Sequence, residues 1–139
     1  MILGGVLVDF AKGPESHSDG DAVLHAVIDA LLGASGKGDI GEWFPDSDPK
    51  YKDANSAKLL EQVKKEIDAA WAVVNVDVNI ILEEPKLGPI KGRIRANIAK
   101  LLGINFSQVN VKAKSMEGLG DVGEGRALIA QAVVELKAR

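Results

Sequence analysis

Both histidines of this chain, His17 and His25, fall within nine residues, His17-Ser18-Asp19-Gly20-Asp21-Ala22-Val23-Leu24-His25, beside a hydroxyl and two carboxylates. Imidazoles, carboxylates and hydroxyls at this density can move protons or hold a cation. Each also has a structural use. Asp19 and Asp21 can cap a helix and favour its dipole, and a helical histidine can be a partly buried polar group. Val23, Ala26, Val27, Ala30 and Leu31 recur at helical spacing, so a helix is expected from about Asp21 to Gly36. Asp21, His25 and Asp29, each four apart, would then share one face, with His17 on the loop above it. Downstream, Gly38-Asp39-Ile40-Gly41 and Phe44-Pro45-Asp46-Ser47-Asp48-Pro49 are more selective in residue type than a generic linker.

The elements that must position these groups alternate along the chain. Ile2 to Val8 reads as a strand in which Gly4-Gly5 lets another backbone come close. A polar loop through Lys52 leads to a helix capped near Asn55 or Ser56, with Leu59, Leu60, Val63 and Ile67 as its buried stripe. Val74, Val76, Val78, Ile80 and Leu82 alternate with Asn75, Asp77, Asn79 and Ile81, the period-two pattern of a strand. After Pro85-Lys86-Leu87-Gly88-Pro89, a third helix places Ile94, Ile98, Leu101 and Leu102 inward and stops at Gly103. Lys91, Arg93, Arg95 and Lys100 on that helix could grip an anion or simply be solvated, and are assigned no site role. Val109, Val111 and Ala113 alternate with Asn110, Lys112 and Lys114 in a further strand. Ala127 to Leu136 fits either helix, by alanine content, or strand, by alternation.

The expected architecture is α+β, a two-layer α/β arrangement with helices on one face of a small mixed sheet. The sheet's second face then needs a cover, which predicts an oligomer. The 139 residues, 46% of them hydrophobic, suit one domain over 1–139. A net charge of −3 argues against nonspecific nucleic-acid binding. The absence of cysteine excludes disulfides and thiolate metal sites. With no leader and no long uncharged apolar run, no membrane association is expected, and a bacterial-type cytoplasm or organelle interior fits.

Ser16-His17-Ser18-Asp19-Gly20-Asp21, Leu24-His25, Asp29-Ala30-Leu31-Leu32-Gly33, Gly38-Asp39-Ile40-Gly41 and Phe44-Pro45-Asp46-Ser47-Asp48-Pro49 together resemble the 2-C-methyl-D-erythritol 2,4-cyclodiphosphate synthase family. The resemblance continues through Asn75-Val76-Asp77-Val78, Glu84-Pro85-Lys86-Leu87, Val109-Asn110-Val111-Lys112-Ala113 and Glu117-Gly118-Leu119-Gly120. It implies a homotrimer, its sheets packed around a three-fold axis, with active sites between neighbouring subunits. The implied substrate is 4-diphosphocytidyl-2-C-methyl-D-erythritol 2-phosphate, cyclised in the non-mevalonate isoprenoid route with release of CMP, a phosphorus–oxygen lyase reaction.

Carried onto this chain, the resemblance makes His25 the helical zinc ligand and Glu117 the ligand to magnesium or manganese. It makes His17 and Ser18 the pair that contacts the erythritol phosphate and steadies the transition state, with His17 catalytic. Asp39, Ile40 and Gly41 would hold the sugar alcohol and ribose, and Phe44, Pro45, Asp46, Ser47 and Asp48 would close over the erythritol. Leu82, Pro85, Lys86, Leu87 and Gly88 would form the cytidine pocket. Lys114, Ser115 and Met116 fall where the family contacts phosphate, Ser115 as a transition-state contact, although Phe44 could equally be core packing.

Two departures accompany the match. The family's opening strand carries D-x-H, two of the three protein ligands to zinc, whereas here Met1 directly precedes Ile2-Leu3-Gly4-Gly5-Val6, and Asp9 lies beyond the matched glycines. An incomplete zinc site at His25 is expected. Where the family commonly has G-R-G-E-G, this chain has Gly123-Glu124-Gly125-Arg126-Ala127, with the charges exchanged. The family's isoprenoid diphosphate binding in the trimer's central cavity is therefore not carried over. The alternative readings are a catalytically impaired, truncated homologue that binds cytidine nucleotide as a trimer, and a metal-dependent phosphohydrolase on the same fold.

Overall fold

The computed structural model describes residues 1–139. The N-terminus is a hairpin, β1 (Ile2–Leu3) pairing antiparallel with β2 (Val6–Leu7), rather than the single strand expected over Ile2 to Val8. Gly4 and Gly5 have φ of 61° and 75°, the conformation a two-residue hairpin turn requires. Side chains there would also collide: a Cβ on Gly4 would lie 2.5 Å from Ile94 Cγ2, and one on Gly5 2.3 Å from Asn97 Nδ2.

Helix α1 (Ala22–Ser35) ends at Gly36 in the left-handed conformation. Asp21 is its N-cap and accepts from the Leu24 amide, so it does not share the helical face expected of it with His25 and Asp29. Instead its carboxylate also accepts from the amides of Gly4 at 2.9 Å and Gly5 at 2.6 Å, joining the hairpin turn to the helix. A one-turn helix, α2 (Ile40–Trp43), breaks the polar loop; it is too short for periodicity to reveal. Helix α3 (Ser56–Ile67) is capped by Asn55 and buries Leu59, Leu60, Val63 and Ile67, as the sequence pattern predicts.

Three strands form the main sheet: β3 (Trp71–Ile81) lies between β4 (Val109–Lys114), parallel to it, and β5 (Ile129–Ala138), antiparallel to it. The ambiguous C-terminal segment is thus strand, its alternation overriding its alanine content because β3 supplies a long partner. A register irregularity between Val73 and Asn75 puts Val73, rather than Val74, on the buried side with Val76, Val78 and Ile80. Helix α4 (Lys91–Leu102) buries Ile94, Ile98 and Leu102 and ends at a left-handed Gly103. A further turn, α5 (Gly120–Gly123), precedes β5.

The core lies between the helices and one sheet face, where Leu24, Ile28, Leu31, Leu60, Val76, Ile80, Ile94 and Ile98 are fully buried. The opposite face carries Asn75, Asp77 and Asn79 on β3, with Ile129 (43% exposed) and Val133 (72%) open beside them on β5. No helix is long and apolar enough to cross a membrane.

Candidate active site

The loop before α1 is held by the loop before α3. The Asp53 amide donates to His17 O at 2.7 Å and the Asp19 amide to Ala54 O at 3.1 Å. This pairing sets His17, Ser18 and His25 into a pocket of about 400 Å³. Its other wall comes from Ile40, Gly41, Phe44, Pro45 and Asp46, with Tyr51 and Leu59. Asp29 anchors that wall by accepting from the Ile40 amide at 2.8 Å.

Within the pocket, His17 Nε2 is buried and has no hydrogen-bond partner. A buried ring nitrogen left unpaired costs free energy unless a ligand meets it. His25 Nε2 lies 2.8 Å from Ser56 Oγ and 3.3 Å from Ser18 Oγ. Ser56, a helix-capping candidate by sequence, is fully buried and donates its hydroxyl to Asp19 Oδ1. Neither this link nor the pocket positions of Tyr51 and Leu59 had a sequence signal, since Asp19 and Ser56 are far apart in the chain.

Several expected contacts do structural work as well. Phe44 is only 8% exposed and meets Tyr51 edge-on at 5.3 Å, so it is core packing and pocket wall at once. Asp39 caps α2 by accepting from Glu42 N, and Asp48 accepts from Lys50 N. Ser47 and Asp48 lie outside the pocket lining.

A second pocket, about 350 Å³, is lined by Leu82, Pro85, Lys86, Leu87, Gly88, Lys114 and Ser115, joined by Ala113 and Lys91. Lys91, left without a role in the sequence reading, stands here at the start of α4. Its signal was a lysine two residues after the Pro/Gly loop. Three lysines therefore border one cavity, a setting for an anion. Glu117 and Met116 are exposed on the adjoining loop, outside the lining. Glu117 adopts a left-handed φ of 53°. Glu83 accepts from the amides of Met116 at 3.1 Å and Gly118 at 3.2 Å, fixing this turn.

The two pockets share no lining residue. No three His, Cys, Asp or Glu side chains converge as a metal-binding group. His25, with Nε2 turned to Ser56, is one imidazole where a zinc site needs about three protein ligands, so this donor set does not fit a complete zinc centre. Glu117 is a single exposed carboxylate on its turn. Arg126 pairs with Asp121 and Glu124, so its guanidinium is engaged within its own loop.

Residues 1–137 match the YgbB family. The chain belongs to this family, that of the 2-C-methyl-D-erythritol 2,4-cyclodiphosphate synthases. The 2-C-methyl-D-erythritol 2,4-cyclodiphosphate synthase of Treponema denticola is 52% identical over 133 residues, 95% of this chain and 83% of the relative. Among solved structures, IspF of Plasmodium falciparum in a CDP complex superposes with a TM-score of 0.86 at 36% identity, over 100% of this chain and 84% of that one. The bifunctional IspDF of Campylobacter jejuni gives a TM-score of 0.96 at 38% identity, this chain spanning 38% of that longer protein. The family's motifs fall on both pockets, histidine and serine in one, the Pro-Lys loop in the other.

Proposed function

We propose that this chain is a 2-C-methyl-D-erythritol 2,4-cyclodiphosphate synthase working as a homotrimer. The observation that carries the reading is the division of the family's motifs between two separate pockets, one suited to sugar and phosphate, the other to a nucleotide. A substrate with a cytidine at one end and an erythritol phosphate at the other needs both. Because the two linings have no residue in common, a neighbouring copy bringing its nucleotide pocket to this chain's histidine pocket would complete the site. The sheet face bearing Ile129 and Val133 is the surface through which copies would meet.

In the proposed reaction an oxygen of the substrate's 2-phosphate attacks the diphosphate phosphorus nearer the erythritol. A P–O bond forms there, the bond from that phosphorus to the CMP phosphate breaks, and CMP leaves with the electron pair. Nucleophile and electrophile belong to one molecule, so the protein's task is to fold it into line and offset charge on the oxygens. His17 and Ser18 would contact the 2-phosphate, with the unpaired Nε2 of His17 free to engage it. Asp46, Ile40 and Gly41 would take the erythritol hydroxyls. Lys86 and Lys91 would face the nucleotide end, and Lys114 and Ser115 the diphosphate. A divalent ion held by Glu117 and the diphosphate would supply charge neutralisation. No step is assigned to zinc.

The test is 31P NMR of the purified chain with 4-diphosphocytidyl-2-C-methyl-D-erythritol 2-phosphate and magnesium. Equal amounts of CMP and a cyclic diphosphate are expected. Persistence of the substrate at saturating metal would remove the proposal.

A further inference from the structure

Asp19, the buried Ser56 and His25 form a partly buried chain of hydrogen bonds behind the histidine pocket. Asp19 Oδ2 accepts from the Ser56 amide at 3.0 Å and Asp19 Oδ1 accepts the Ser56 hydroxyl. An ionised carboxylate can only accept, so the proton in that bond is the serine's. Ser56 has one hydroxyl proton, and none is left for His25. At 2.8 Å from His25 Nε2, Ser56 Oγ therefore acts as an acceptor. Ser18 Oγ, 3.3 Å from the same nitrogen, is the more distant neighbour; it accepts from the Gly20 amide and lies 3.2 Å from Ser16 Oγ.

We infer that Ser56 and Asp19 are positioning residues that lock neutral His25 as its Nε2–H tautomer, leaving Nδ1 as the lone pair it offers to a proton or cation. The buried serine works as a directional spacer: held by the Asp19 carboxylate, its hydroxyl oxygen is a fixed acceptor at one ring nitrogen. The hydrogen bond on one imidazole nitrogen decides what the other can do. This assignment concerns His25 itself and holds whichever reaction the pocket performs.

Long-range 15N–1H correlation on the full chain reads the tautomer directly, at a pH about two units above the ordinary imidazole value of about 6.5. Only two histidines are present, and His17→Gln separates their signals. His25 is expected to show a proton on Nε2 alone. Ser56→Thr, which keeps the hydroxyl, should preserve that pattern, whereas Ser56→Ala should give a mixture of both tautomers. A wild-type His25 protonated on Nδ1, or a Ser56→Ala spectrum identical to wild type, overturns the inference. The wild-type result decides on its own should Ser56→Ala fail to fold.

Discussion

Replacing Asp21 by alanine removes one carboxylate that ties three parts of the chain together. Its oxygens accept from the amides of Gly4, Gly5 and Leu24, and the residue has no exposed surface. Loss of the helix cap costs about 0.5–2 kcal/mol. Orphaning the buried Gly4 amide adds about 1–3 kcal/mol, while the amide of the exposed Gly5 can turn to water at smaller cost. Burial of the carboxylate offsets part of this, and it is also the main reason the Asp21 pKa is raised above 3.8. The amides of Leu24, Gly5 and Gly4 pull it down, and Asp19 pushes it further up. A net loss on the order of 3 kcal/mol follows, or roughly 10 °C in Tm for a chain of this size. Asp21→Asn keeps the shape but turns an amide donor toward one of the same N–H groups, so it should recover only part of the loss.

Urea unfolding of the three proteins measures this, with the m-value as a check on two-state behaviour. The pH dependence adds a sign. With its folded pKa above the unfolded one, Asp21 holds its proton more tightly when folded, so its contribution falls as pH rises from about 3.8 through the folded pKa. The wild type should therefore lose stability relative to Asp21→Asn as pH rises through that window. An Asp21→Ala protein within about 0.5 kcal/mol of wild type at neutral pH would refute the tether argument.

Three further outcomes are expected. His17→Gln should lower kcat by about 100-fold while leaving folding intact, the size seen when one transition-state hydrogen-bond donor is lost; steady-state kinetics with circular dichroism checks both halves. Lys86→Ala and Lys91→Ala should each weaken CDP binding about 2- to 5-fold, the equivalent of about 0.5–1 kcal/mol for a solvent-exposed ion pair, as read by calorimetry at two salt concentrations. Val133→Asp, on the open sheet face, should shift sedimentation from trimer to monomer, and an unchanged trimer would place the contact elsewhere.

The long helices were legible because their apolar stripes repeat over 12 or more residues, as at Leu59, Leu60, Val63 and Ile67. The hairpin was not, because Gly4-Gly5 reads equally as a turn and as a site of close approach, and the two strands flanking it have two residues each. Local residue types marked the histidine pocket, whereas the Pro-Lys loop was marked as a pocket only by the family resemblance. What joins them is not local: Ser56 reaches His25 across 31 residues, and Asp29 fixes α2 across 11. Asp21 was misplaced for a related reason. Spacing counts it onto the helix face, while the unpaired amides at the helix start and the hairpin turn claim its side chain.

Solvent oxygen distinguishes intramolecular cyclisation from every hydrolytic alternative. In 18O-labelled water, with magnesium present, the chain should turn over 4-diphosphocytidyl-2-C-methyl-D-erythritol 2-phosphate to CMP and cyclic diphosphate with no label in either product by mass spectrometry. Label in CMP or in an open-chain phosphate, or no release of CMP at all, would contradict the account.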